Sequence, residues 1–183
     1  MSKDKYFNLI DYGASKIRFS VFDKNYNEKY SETVEAIYNQ KYNNNFEEII
    51  KIIKKAEKQI PFHIEDIILI LDTPNILTID VSFNKNLNKT TKVKKVYDNI
   101  ILELNQLIET NYNKYLIAHI IIDQCIIDEK IYMELPENQL VNNLKIDFKI
   151  ICFPKDLISE LKKEFIKNNL NVINFFCTSY VKS

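Results

Sequence analysis

Glycine occurs once in the 183 residues, arginine once, cysteine three times and tryptophan not at all. Each scarcity narrows the reading. A full nucleotide site normally draws on several glycines, so a single one sets a limit on what this chain can cradle. Cys125, Cys152 and Cys177 are odd in number and widely spaced, without a Cys-x-x-Cys pair. That pattern suggests neither a disulfide framework nor a zinc site, and it fits a reducing cytosol. None of the three has companions arranged for nucleophilic catalysis, so buried packing is their expected role. Charge of one sign is missing too: 25 basic and 25 acidic residues leave no net field to recruit nucleic acid or an anionic membrane. Long apolar runs are absent, because Ile67–Leu71 is far too short to span a bilayer. The start, Met1-Ser2-Lys3-Asp4-Lys5, has no secretory apolar core.

What remains is a globular composition, 46% hydrophobic and 27% charged. At 21.8 kDa the chain is large enough for one big core or two small ones. Alternating apolar positions predict strands over 6–11 and 17–22, with a third over 30–37. Asn43-Asn44-Asn45 marks a loop and helix start, and Phe46, Ile49, Ile50, Ile53 and Ala56 recur at helical spacing, giving a helix over 46–59 before Pro61. Ile67–Leu71 is continuous, the pattern of a strand buried on both faces. Asp72-Thr73-Pro74-Asn75 is turn chemistry and the first candidate boundary. Beyond it a strand is expected over 76–83 and a helix over 90–111. Strands are expected over 116–127, 131–135 and 143–153. Pro154 then opens a helix with Leu157, Ile158, Leu161, Phe165 and Ile166 inward. Asn168-Asn169 takes the left-handed cap that glycine usually fills, and Val172–Phe176 is a terminal strand.

The lone glycine, Gly13, sits in Asp11-Tyr12-Gly13-Ala14-Ser15-Lys16 between the first two strands. Backbone N–H groups of Gly13, Ala14, Ser15 and Lys16 in such a turn can face a phosphate, Lys16 adds a point charge, and Asp11 can position a metal-bound water. A plain solvated hairpin turn is the alternative on pattern alone.

In sequence order these elements resemble the N-terminal part of the FtsA family of actin-like bacterial cell-division proteins. Asn8–Arg18 is similar to the family's first phosphate loop, and Ile64–Leu71 to the strand before its inserted subdomain. The strand, long helix and strand pair across 76–153 resemble the SHS2-type insertion, subdomain 1C. Within it Leu116–Ile121 and Ile126-Ile127-Asp128 resemble an apolar-His-apolar strand and the Asp-bearing turn after it. Leu157–Phe176 is similar to the helix and strand leading back into subdomain 1A, and Cys177–Tyr180 to the small-residue stretch that follows. Two departures stand out: Ala14 where the family has Thr or Ser, and Tyr12 where it has Ile or Val.

The resemblance implies an α/β fold. An actin-like, ribonuclease-H-like lobe, incomplete, is formed by 1–75 and 154–183, with an SHS2-like insertion over 76–153. It implies ATP and Mg as the intact family's ligands, with Asp11, Gly13, Ala14, Ser15 and Lys16 as half of a nucleotide site and Asp11 as an indirect metal contact. Ser183 falls before the family's second phosphate loop, so the chain is expected to be truncated and not an active ATPase by itself. Expected partners are divisome proteins and further copies through 1C, with no nucleic acid. The FtsZ-binding region and membrane helix fall outside the matched part. The implied location is cytoplasmic, at the division site on the inner membrane face through partners. Three other readings stay open: a pilus-assembly relative of the PilM type, a stand-alone scaffold derived from the FtsA front half, and a gene fragment.

His119, in an apolar strand and accompanied elsewhere only by His63, is read as a packing histidine. The lysines at 51, 54, 55 and 58, and at 92, 94 and 95, are read as solvated helix faces.

Overall fold

A computed structural model of the chain describes residues 6–36 and 43–181. Expectations touching residues 1–5, 37–42 and 182–183, including the last residue of the expected third strand, lie outside them. Two compact units result, one of Met1–Pro74 and Leu157–Ser183, the other of Asn75–Asp156.

Unit one holds a five-stranded sheet in the order β3-β2-β1-β4-β9. Strands β1 (Phe7–Tyr12), β2 (Lys16–Phe22) and β3 (Glu28–Glu35) form an antiparallel meander, whereas β4 (Asp66–Leu71) and β9 (Asn171–Cys177) run parallel to β1. Alternation decides which face is buried. Ile10, Phe19 and Leu69 lie side by side across three strands, as do Tyr12, Ile17 and Leu71, and all six are buried. Helices α1 (Asn43–Glu57) and α3 (Lys155–Lys167) cover that face. Lys55 of α1 reaches Glu32, which is opposite Phe19, and Lys162 of α3 lies 5.3 Å from the ring of Phe175, which is opposite Leu69. Phe46 and Phe165 join the two helices edge to face at 4.7 Å.

The double-sided burial expected for Ile67–Leu71 is corrected here. Ile67, Leu69 and Leu71 are buried, but Ile68 and Ile70 are only half-buried, because the two helices sit on the other face. Pro154 ends a strand instead of opening α3. At the far end of α3 the backbone closes as expected: Asn169 adopts φ 58°, Leu170 N–H donates to Phe165 and Asn169 N–H to Ile166.

With glycine absent elsewhere, the other described left-handed positions fall on Tyr26, Asp128 and Glu129. Tyr26 belongs to the β2–β3 turn that Asp23 organises. The Asp23 carboxylate accepts the N–H groups of Asn25 (2.8 Å) and Asn27 (3.0 Å) and pairs with Lys29 at 3.0 Å. The bond from Lys29, followed by these amides, holds the Asp23 carboxyl well below its ordinary value of 3.8. The sign follows from a depressed folded-state value: the stabilisation is complete above the ordinary pKa and is lost as pH falls through the lower folded one. An NMR titration should find Asp23 still ionised where exposed carboxylates have protonated. Titration of Asp23 near 3.8 would contradict this turn geometry.

Unit two is an antiparallel sheet, order β5-β8-β6-β7, with α2 (Val93–Asn111) on one face. Its strands are β5 (Leu77–Lys92), β6 (Tyr115–Ile127), β7 (Lys130–Tyr132) and β8 (Leu140–Pro154). Val93, Val96, Ile100, Leu104 and Ile108 form the helix stripe and pack with Ile146, Phe148, Ile150 and Cys152 of β8. Strand β5 runs nine residues beyond the expected Phe83, with a break in its ladder between Asn86 and Thr91. Asp128 and Glu129, both left-handed, make the two-residue β6–β7 turn, and Asp128 accepts the Asn143 N–H at 2.8 Å. A short helix α4 (Thr178–Val181) follows β9 in unit one.

Candidate functional site

The three parallel strands of unit one end at a common edge, where Tyr12 is level with Leu71 and Leu71 with Cys177. Beyond these residues come the Gly13–Lys16 turn, Asp72-Thr73 and Thr178-Ser179. In open sheets with parallel strands, ligands bind outside the carboxyl ends of the strands, which makes this edge the candidate site.

Gly13 is required for closeness, since its φ is not in the left-handed region. Its N–H donates to the Lys16 carbonyl at 3.0 Å, and a Cβ at this position would stand 2.9 Å from that same oxygen. The glycine therefore lets the turn close on itself. Gly13→Ala should destabilise unit one by about 1–3 kcal/mol, because a backbone oxygen must move to admit the methyl group. Chemical denaturation would measure it, and an unchanged midpoint would contradict the contact.

Two backbone hydrogen bonds and one side-chain hydrogen bond from α1 hold the turn and its base in place. Ser15 C=O accepts from Ala36 N–H at 2.8 Å, and Tyr12 C=O accepts from Asp72 N–H at 3.1 Å. The Tyr12 ring is buried, and its hydroxyl accepts from Asn45 Nδ2 at 3.1 Å. Tyr12 thus fills the core beneath the turn and anchors the start of α1. Ala14, Ser15 and Lys16 are exposed at the crest, while Gly13 and Asp11 are half-buried.

Asp11 stands opposite Arg18 in the β1–β2 register, on the face away from Ile10 and Tyr12. Arg18 Nε donates to Thr33 Oγ1 at 3.4 Å. Arg18 lies outside the Asp11–Lys16 candidates, although period-two alternation from Lys16 places it on one face with Lys16. Asp72, Thr73 and Thr178 were also unseen as neighbours of the turn, because parallel pairing of distant strands brings them there. Thr73 is buried, the Thr178 hydroxyl is buried without a hydrogen bond, and Cys177 Sγ lies 2.8 Å from Ser179 Oγ.

The remaining candidates sit elsewhere. His119 lies on β6 with burial holding its imidazole below the usual value. All three cysteines are buried, and burial pushes the Cys152 thiol up to about 11. Such thiols are poor nucleophiles. Lys51, Lys54, Lys55 and Lys58 are exposed, as are Lys92, Lys94 and Lys95. Among the described residues no group of three or more His, Cys, Asp or Glu side chains is gathered to hold a metal ion. No described helix is long and apolar enough to cross a membrane.

No protein-family model matches this sequence, and no curated protein matches it. Solved structures do. A chain of the "PilM-PilN type IV pilus biogenesis complex" aligns with 95% of this chain and 48% of its own length, at TM-score 0.61 and 8% identity. A protein of unknown function with an actin-like ATPase fold, from Bacteroides thetaiotaomicron, aligns with 96% of this chain and 53% of its own at 12% identity, but its TM-score of 0.38 carries no argument. The chain spans about half the length of both structures. The likeness defines a fold: mixed α/β, one half of an actin-like ATPase fold, with a ribonuclease-H-like lobe and an inserted antiparallel subdomain. Within that fold the chain resembles PilM in structure.

Proposed function

We propose that this chain is an assembly protein of the pilus-biogenesis type, acting by holding a partner and not by turning over nucleotide. The observation that carries the reading is the alignment of 95% of the chain with a component of the PilM–PilN complex. The solved neighbour is named as part of a complex, and an equivalent role here makes the inserted antiparallel unit the natural docking module. The cell-division reading, with divisome partners, draws on the sequence resemblance alone.

The Asp11–Lys16 turn fits a phosphate group. Ala14, Ser15 and Lys16 are exposed at the end of β1, so their backbone N–H groups, the Ser15 hydroxyl and the Lys16 ammonium can meet an anion there. Asp11 would orient a cation-bound water. Bound MgATP would bring a transferable phosphoryl group. This turn does less: Gly13 N–H is already committed to Lys16, and Ala14 supplies no hydroxyl. A drug-sized ligand needs most of its surface enclosed, and a single turn presents one wall. In this proposal the turn is a phosphate contact, and the protein works in the cytoplasm at the membrane face through its partner.

Deleting the gene in its host tests the reading. The expected outcome is loss of surface pili, counted by electron microscopy, with septa at normal spacing. Filamentous cells carrying normal pili would overturn it in favour of division.

A further inference from the structure

Strand β5 leaves its ladder shortly before α2 begins. Asn86 pairs with Asn143 and Thr91 with Val141, so Leu87-Asn88-Lys89-Thr90 stand opposite the single residue Asn142. Irregularities of this kind re-aim side chains and gather next to binding sites. The bulge and residues of α2 together line a cavity of about 480 Å³, wholly within unit two. That volume falls in the range of small-molecule sites. The Asp11–Lys16 turn belongs to unit one and supplies none of the lining.

Lys89 lines the cavity from the bulge and Lys95 from the helix, and both are exposed. Neither has an ion pair among the described residues. Lys95 also stands in the first turn of α2, where a helix dipole favours acidic side chains and none is present. The helix gains nothing from a lysine there. Lys85 is different: its ammonium lies 2.7 Å from each Glu103 carboxylate oxygen, so one carboxylate is already held in the lining. Leu87 and Val96 pack with the core and give the cavity an apolar floor. Three lysines against one glutamate leave the lining two positive charges in excess.

We propose that this cavity binds a small linear dicarboxylate, with its carboxylates on Lys89 and Lys95 and its methylene chain on Leu87 and Val96. The inference does not depend on the pilus reading. A dianion matches the excess charge of the lining. Unpaired ammoniums on two separate elements, with apolar surface in the same cavity, suit a ligand charged at both ends and apolar between. A phosphate concentrates the same charge on one group, where Glu103 repels it more strongly. Exposed lysines hold their partners weakly, so the affinity belongs near the millimolar range.

Glutarate titrated into the full isotope-labelled chain, followed by amide NMR, decides it. The amides of Leu87, Thr91, Val96 and Asn99 should shift saturably, with a dissociation constant of about 1 mM. Valerate, which carries one carboxylate on the same chain length, and inorganic phosphate should each bind at least about fivefold more weakly. Lys89→Gln and Lys95→Gln should each weaken glutarate about fivefold. Glu103→Gln frees Lys85 and should tighten glutarate about threefold, which loss of a merely structural ion pair would not do. All three variants alter exposed side chains, so circular dichroism should be unchanged. No saturable shift at these amides, equal binding of valerate or phosphate, lysine variants that bind as well as wild type, or weaker binding by Glu103→Gln would each overturn the proposal.

Discussion

Phe148→Ala is expected to cost unit two about 3–5 kcal/mol, among the largest losses any single substitution in this chain should produce. The ring is 1% exposed at the centre of β8. Phe83 of β5 meets it edge to face at 6.0 Å, and Tyr97 of α2 lies against it at 6.2 Å. Its removal leaves a cavity bordered by a strand on one side and the helix on another, neither of which can collapse without breaking its own ladder or stripe. Hydrogen exchange should report the loss as reduced protection in α2 and in β5, β6 and β8. A loss below about 1 kcal/mol would mean the ring does not organise this core.

The second large effect belongs to unit one. Phe165→Ala should also cost about 3–5 kcal/mol, for a different structural reason. Phe165 is fully buried and joins α3 to Phe46 of α1. Without it the two helices that cover the Ile10–Leu69 face lose their shared anchor. Urea denaturation should show a lower midpoint with an unchanged slope. A reduced slope would instead indicate that the native state had loosened.

Much of this architecture was legible because it is written in apolar periodicity. The alternation around Gly13, the stripe from Val96 to Ile108 and the run from Ile67 to Leu71 all sit in elements of the expected type. The expectation failed where tertiary pairing overrides composition. Residues 84–92 are mostly Asn, Lys and Thr, and Asn and Lys are poor strand formers. They are a strand because Asn84, Lys85 and Asn86 pair with Lys145, Leu144 and Asn143 of β8, and no local signal carries that distant pairing. The double-sided burial of β4 failed for a related reason, since five apolar residues in a row do not reveal which face the helices will cover.

The site was legible in part. The turn from Asp11 to Lys16 is a local feature, and its glycine stood out by rarity. Its surroundings are not local: Asp72 and Thr178 reach the same edge through parallel ladders spanning dozens of residues. The sequence resemblance and the structural comparison agree on an actin-like core. At 8% identity the shared information is the order and pattern of elements, which a division protein and a pilus protein can hold in common.

Titration calorimetry of MgATP into the full chain tests most directly the proposal that the Asp11–Lys16 turn is a phosphate contact and not a nucleotide site. If the turn is a single phosphate contact, as proposed, no saturable heat tighter than about 1 mM is expected. A saturable micromolar site that Lys16→Ala abolishes would contradict it and make the Asp11–Lys16 turn part of a working nucleotide site.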